Sequence, residues 1–187
     1  MADTQRTVSE IQTLLADNAT GDISAQDLRD ALETWRPRHG QLYVASGDGA
    51  ATAISDTTNY VECVDQTWTL DSMGSYEFDE SAGNGRLTYI GTADIMLHCA
   101  ATISFTSASN NQVLSWRIGV SGTTMSASEV QVKVGTGSDV QSTAMHYVGQ
   151  MSAGDYLSLF VRNTSSTASV TLSVANLQLM SMPTQGA

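Results

Sequence analysis

The residues best able to move protons near neutral pH are three histidines, His39, His98 and His146. They lie far apart in the chain, and none belongs to a His-x-x-x-His or Cys-x-x-Cys pattern that would gather a metal ion. His39 sits in the basic stretch Trp35-Arg36-Pro37-Arg38-His39-Gly40, where it suits a carboxylate or backbone partner. His98 and His146 fall in the middle of strand-like runs and read as structural histidines. Glu77, Asp79 and Glu80 form a carboxylate cluster. Glycoside hydrolysis, however, needs two carboxyls facing one another across a cleft, which closeness in sequence does not supply. Serine is abundant, yet no Gly-x-Ser-x-Gly nucleophile elbow occurs. Gly47-Asp48-Gly49 and Gly83-Asn84-Gly85 lie outside any strand-to-helix turn and so do not cradle phosphate. Cys63 and Cys99 stand in apolar runs and are expected to be reduced core thiols. No catalytic residue and no cofactor is expected, and the chain reads as a non-enzyme.

One stretch invites a metal test. Gly21-Asp22-Ile23-Ser24-Ala25-Gln26-Asp27-Leu28-Arg29 resembles the second half of an EF-hand loop with its exit helix. Placing Gly21 at the loop glycine puts Asn18, Thr20, Asp22, Ser24 and Asp27 at liganding positions. The first position then falls on Ala16, which has no side-chain oxygen, and the last on Asp27, which is shorter than the usual bidentate glutamate. A capped helix-turn-helix without calcium is the expectation.

The elements that would position these groups follow from periodicity. Residues 1–39 read as a helical segment of two short helices. Thr7-x-x-Glu10 forms a capping box ahead of Val8, Ile11, Leu14 and Leu15. Ser24 caps the second helix, whose apolar stripe is Leu28, Ala31, Leu32 and Trp35 and which Pro37 ends. Each helix is too short to stand alone in water, so the stripes must dock on something. From Gly40 to Ala187 helical spacing disappears. Short alternating runs separated by Gly, Ser, Asn and Asp clusters read as a two-sheet sandwich or barrel.

Twelve strands are expected. They are Gln41–Ala45, Thr52–Ser55, Tyr60–Val64, Thr67–Leu70, Tyr76–Phe78 and Arg86–Ile90, then Ile95–Phe105, Gln112–Val120, Glu129–Val134, Val140–Gly149, Asp155–Arg162 and Ala168–Leu179. In Asp155–Arg162, Leu157, Leu159 and Val161 form a core face, while Tyr156, Ser158, Phe160 and Arg162 form a face too aromatic to be left wet. A second copy of the chain is the expected cover. Met96, His98, Tyr147, Tyr156 and Phe160 are accordingly expected at an interface between copies.

Composition narrows the partners. The chain carries 19 acidic and 8 basic residues, a formal charge of −11, with Lys133 its only lysine. That offers no footprint for nucleic acid and repels an anionic membrane surface. Charged residues make up only 14% of the chain, against about a quarter in ordinary domains, which suits a protein packed against other proteins. The opening Met-Ala-Asp-Thr-Gln-Arg has no apolar export segment and no run approaches membrane-spanning length, so folding in a cytoplasm is expected.

Two resemblances sharpen the reading. The small-Gly-Asp turn Ser152-Ala153-Gly154-Asp155, followed by an aromatic-aliphatic strand to Asn163, resembles the penultimate strand of the tumour necrosis factor and complement-type globular heads. That resemblance implies a jelly-roll β-sandwich and a homotrimer. Leu14 to Asn18, Gly21 to Asp30, and the Ser107-Ala108-Ser109-Asn110-Asn111-Gln112 turn are similar to small virion proteins of tailed bacteriophages. This second resemblance implies a place on the virion, after assembly in the host cytoplasm. The expected role is a homotrimeric capsid decoration or cement protein bound to the major capsid protein. The alternative is a tail-fibre or tail-tip head that binds a receptor or glycan. The expected capsid anchor is Leu28, Leu32 and Trp35, with Arg36 and Arg38 following for acidic partners.

Overall fold

The computed structural model describes residues 10–11, 13, 23–71, 75–80, 83–136 and 139–182. Helix α1 (Ala25–Trp35) precedes β1 (His39–Val44), β2 (Ala51–Thr52), β3 (Val61–Glu62), β4 (Thr69–Leu70), β5 (Phe78–Asp79) and β6 (Leu87–Tyr89). There follow β7 (Ile95–Ser107), β8 (Gln112–Val120), β9 (Thr123–Thr124), β10 (Val130–Val134), β11 (Gln141–Met151), β12 (Tyr156–Asn163) and β13 (Val170–Met182). All pairings are antiparallel. The first sheet runs β11-β7-β13-β1-β4, with β2 beside β13; the second runs β10-β8-β12-β6-β5, with β3 beside β12 and β9 beside β8. The chain crosses between sheets on passing from β7 to β8, β10 to β11 and β12 to β13, which gives the expected jelly-roll sandwich.

Strict alternation sets which side each long strand buries. On β7, Ile95, Leu97, Cys99, Ala101, Ile103 and Phe105 are all buried, as their period of two requires. On β12, Leu157, Leu159 and Val161 meet Leu114, Trp116 and Ile118 of β8 in the same interior. Phe105 and Trp116 join the two sheets, with ring centroids 4.8 Å apart. The signature turn before β12 is built as its residues demand. Gly154 takes φ +85°, which a side chain would strain. Asp155 accepts from the Ser152 amide at 2.9 Å and from the Ser121 hydroxyl at 2.6 Å, tying this turn to the β8–β9 turn.

The two thiols belong to this core. Cys63 and Cys99 are free and buried. Burial pushes both thiols up to about 12, because an apolar interior penalises the thiolate. We therefore expect no reaction with Ellman's reagent in the native protein and two equivalents of thiol released in guanidinium; a native thiol that reacts quickly would contradict this packing.

Candidate functional site

Strands β1, β7, β11 and β13 contain no Asp, Glu, Lys or Arg. Their inward residues make one half of the core, so the outward residues form a broad uncharged surface on the first sheet. Register sets this face in rows. Val148 stands opposite His98, His98 opposite Met180, and Met180 opposite His39. In the next row His146 lies opposite Ala100, Ala100 opposite Gln178, and Gln178 opposite Gln41. All three histidines, separated by up to 107 of the chain's 187 residues, thus meet on one face. Between the rows runs a shallow groove of about 330 Å³, lined by His39, Gln41, His98, Gln178 and Met180. Val148 and Met180 are more than half exposed, an unusual state for apolar residues in the middle of a sheet.

His98 and His146 touch directly. Their rings lie nearly parallel, 7° apart with centroids separated by 5.3 Å, and Nδ1 of His146 faces Nε2 of His98 at 3.2 Å. A hydrogen bond along that line needs one ring nitrogen to donate and the other to accept, the tautomers deciding which. Among the described residues no group of three or more His, Cys, Asp and Glu is placed to hold a metal ion.

The outer face of the second sheet is different, because the chain roofs it with its own residues. Tyr60 crosses β12 to reach the Ser115 hydroxyl at 2.6 Å. The guanidiniums of Arg117 and Arg162 lie over its ring, 4.4 and 4.7 Å from the centroid. Glu129 takes hydrogen bonds from Arg117, above all, and from Ser115 and Gln131, which hold its carboxyl down at about 2. Further along, Glu62 and Arg86 pair at 2.7 Å, and Arg86 covers the Tyr156 ring at 4.5 Å. Burial works against the Glu62 charge, but the hydrogen bonds from Arg86 prevail and keep this carboxyl below its ordinary value.

The five residues expected at one interface are therefore dispersed. Met96 and His98 lie on the outer face of the first sheet, as expected. Tyr147 stands opposite the core residue Cys99 and packs inward. Tyr156 and Phe160 lie on the other sheet and are covered by their own chain. Phe160 is only 6% exposed, its ring seated on Gly119, where any side chain would collide with it. The alternation was right that this face is covered, but the cover is intramolecular. Val148, Met180 and His146 take the place of these three on the open face. Register across β11, β7 and β13 brings them there, and no local motif announces it.

Helix α1 supplies a second surface. Ser24 and Asp27 form the expected capping box: the Ser24 amide donates to Asp27 at 2.9 Å and the Asp27 amide to the Ser24 hydroxyl at 3.1 Å. Both side chains of the calcium-like loop that are described here are engaged in that cap; Ala16, Asn18, Thr20 and Asp22 lie outside the described residues, as does the Thr7 cap. Glu10, Ile11 and Thr13 are helical, and Ile11 is buried. In α1 the buried positions are Asp30 and Ala31, whereas Leu28, Leu32 and Trp35 are each more than half exposed.

The C-terminal end of α1 is joined to the sandwich. Arg38, 6% exposed, donates to the carbonyls of Glu33, Thr34 and Arg36 at 2.8–3.1 Å and to the Glu77 carboxylate at 2.9 Å. The Glu33 carbonyl already accepts from the Arg36 amide at 3.3 Å, and the other two belong to the helix end, where carbonyls lack intrahelical partners. Glu77 reaches Arg38 from a left-handed backbone, φ 61°. Tyr76 donates to Glu33 and carries the Arg36 guanidinium 3.6 Å above its ring. Arg38, expected to meet an outside acidic partner, is instead buried in this joint. Of the expected anchor, the apolar stripe is open, and so is the Arg36 side chain, 55% exposed while it stacks on Tyr76.

The remaining candidates resolve into structural roles. Glu77 belongs to the joint, Asp79 accepts from the Glu80 amide, and Glu80 accepts from the Asn84 and Gly85 amides. Those carboxylates do not face one another across a cleft. Tyr43, Tyr60 and Trp68, the aromatics that could have made a sugar platform, are dispersed. Tyr43 is on the first sheet's outer face, Tyr60 lies under two guanidiniums, and Trp68 is buried and donates to the Cys63 carbonyl.

No family model and no curated protein sequence matches this chain. Solved structures do. Eiger, a tumour necrosis factor of S. frugiperda, is similar at 12% identity and a TM-score of 0.51, over 81% of this chain and all of the other. Murine APRIL is similar at 9% identity and a TM-score of 0.46, over 78% of this chain and all of the other. The likeness to Eiger is one of fold: a jelly roll of the tumour necrosis factor type.

Because the Glu129 carboxyl is held at about 2 in the fold, it contributes stability above its unfolded value of 4.5, and loses that contribution as pH falls toward 2. We expect Glu129→Gln to lower stability near neutral pH and to flatten the fall in stability between those limits, measured by urea unfolding; an unchanged acid limb would contradict the assigned role.

Proposed function

We propose that this chain is a structural protein that assembles with itself through the first sheet and attaches to a larger particle through helix α1. The observation that carries the reading is the exposed stripe Leu28, Leu32 and Trp35 on a helix that buries Asp30 and Ala31 and is held at its C-terminal end by Arg38. Such a stripe is costly to leave in water, and one helix face with three large apolar side chains is the usual form of a docking ridge. The uncharged outer face of the first sheet supports self-association. Chains with a net charge of −11 repel one another unless they meet through a neutral surface. A jelly roll of the tumour necrosis factor type is compatible with a homotrimer, which repeats the helix stripe three times and turns a weak contact into a firm one.

The particle is proposed to be the head of a tailed bacteriophage, with the chain as a decoration protein on the major capsid protein and its location the virion. This attribution rests on the sequence similarity of Leu14 to Asn18, Gly21 to Asp30 and Ser107 to Gln112, and the fold is compatible with it. The receptor- or glycan-binding alternative draws less support, because Tyr43, Tyr60 and Trp68 do not share a surface.

Cosedimentation with capsids tests the proposal. Leu28→Asp combined with Leu32→Asp is expected to abolish capsid binding, at least tenfold in affinity, while thermal unfolding and assembly state stay unchanged. Retained capsid binding by a folded variant would refute the anchor. Normal capsid occupancy with lost host-cell adsorption would favour the receptor-binding alternative.

A further inference from the structure

We propose that the His98–His146 pair is a proton-operated lock on the self-assembly face, closing copies together when neutral and separating them when charged. The inference rests on the proposed self-association through the first sheet and adds its regulation. Both rings are exposed in the single chain, so water can deliver a proton to either. The facing nitrogens at 3.2 Å have room for one proton between them. One proton added to the neutral pair makes a single imidazolium that donates to its neutral partner ring, and a second added proton sets two cations side by side.

The surroundings offer such a charge nothing. Val148 and Met180 flank His98, and Ala100 flanks His146. Among the described residues, the titratable groups that β1, β4 and the sheet ends bring to this face are few. From β1 come His39 and Tyr43, and Tyr76 lies beyond His39 with Arg36 upon its ring. Asp71 continues β4 beside Gln41. Asp94, at the far end of the sheet, is held by Gln150 at 3.1 Å. Among the described residues no carboxylate is hydrogen-bonded to either ring of the pair, and β7, β11 and β13 contribute none.

The sign of the effect follows from hydration. An imidazole in water exchanges its proton near pH 6.5. Covering the face with another copy removes water from a group that has no counter-charge, which disfavours the charged form. The assembled state therefore binds fewer protons than separated chains. Association is undiminished above the imidazole range and weakens as pH falls below it. If three chains each exclude one proton, the association constant falls roughly a thousandfold per pH unit there, and the concentration for half-assembly rises about thirtyfold.

Sedimentation velocity of the full chain, across a concentration series from about pH 8 to about pH 5.5, reads this directly. The expected result is assembly at the upper limit and dissociation toward the lower. His98→Gln with His146→Gln should assemble at both limits, with far-UV dichroism unchanged. Wild-type assembly that persists undiminished to the lower limit overturns the lock while leaving self-association intact. Absence of assembly at the upper limit overturns both. A pH response abolished by His39→Gln, but kept by the paired variant, also overturns the assignment.

Discussion

Everything distinctive in this molecule depends on the absence of charge from four long strands. Removing Asp, Glu, Lys and Arg from β1, β7, β11 and β13 leaves a sheet with an apolar inner side and a neutral outer side. A strand buried on one side and wet on the other ordinarily alternates apolar with charged or strongly polar residues. Here the wet side carries Val148, Met180, Ala100 and a histidine pair instead, and the acidity of the chain is displaced to loops, the helix and the second sheet. A strongly negative chain built this way has one broad surface on which a like-charged copy can approach without repulsion.

The second sheet shows what the first one lacks. Its outer face carries Arg117, Arg162 and Glu62, and each is matched by a partner from elsewhere in the same chain: Glu129, Tyr60 and Arg86. Half-buried charges tolerate that position only when paired. Their pairing closes the face to outside partners and orders the segment that leads into β3. The Arg38–Glu77 joint applies the same physics at the helix. A buried guanidinium donates to three helix-end carbonyls and one carboxylate, fixing where α1 leaves the sandwich without covering its apolar stripe.

Where a feature depended on local period, it was legible in the residues alone. The core faces of β7, β8 and β12 follow from alternation over eight or more residues, and the α1 stripe and its Ser24 cap follow from helical spacing. Every expected strand has a counterpart, although β2 and β5 share only Thr52 and Phe78 with the expected runs and β3, β4 and β6 are shorter, because only a short part of each run finds a partner strand. Thr123–Thr124 falls in none of the expected runs and is the small strand β9, pairing back on β8. What escaped were features set by distant contacts. Alternation shows that the Phe160 face is covered but not by what, and the cover arrives from Tyr60 and its neighbours a hundred residues away. Arg38 looks like a free basic residue until Glu77, carried in by the β4–β5 connection, is placed beside it. The meeting of His39, His98 and His146 requires three strand registers at once, so no spacing rule reveals it.

The central claim is that the outer face of the first sheet is buried between copies. The most direct measurement is the sedimenting mass, near neutral pH, of the wild-type chain and of Met180→Asp, which sets a single charge in the row Val148–His98–Met180–His39. Met180 is 59% exposed in the single chain, so the substitution leaves the fold intact. The account predicts an assembly of three 19.8 kDa chains for the wild type and a folded monomer for the variant. A monomeric wild type, or a variant that assembles as well as its parent, would contradict it.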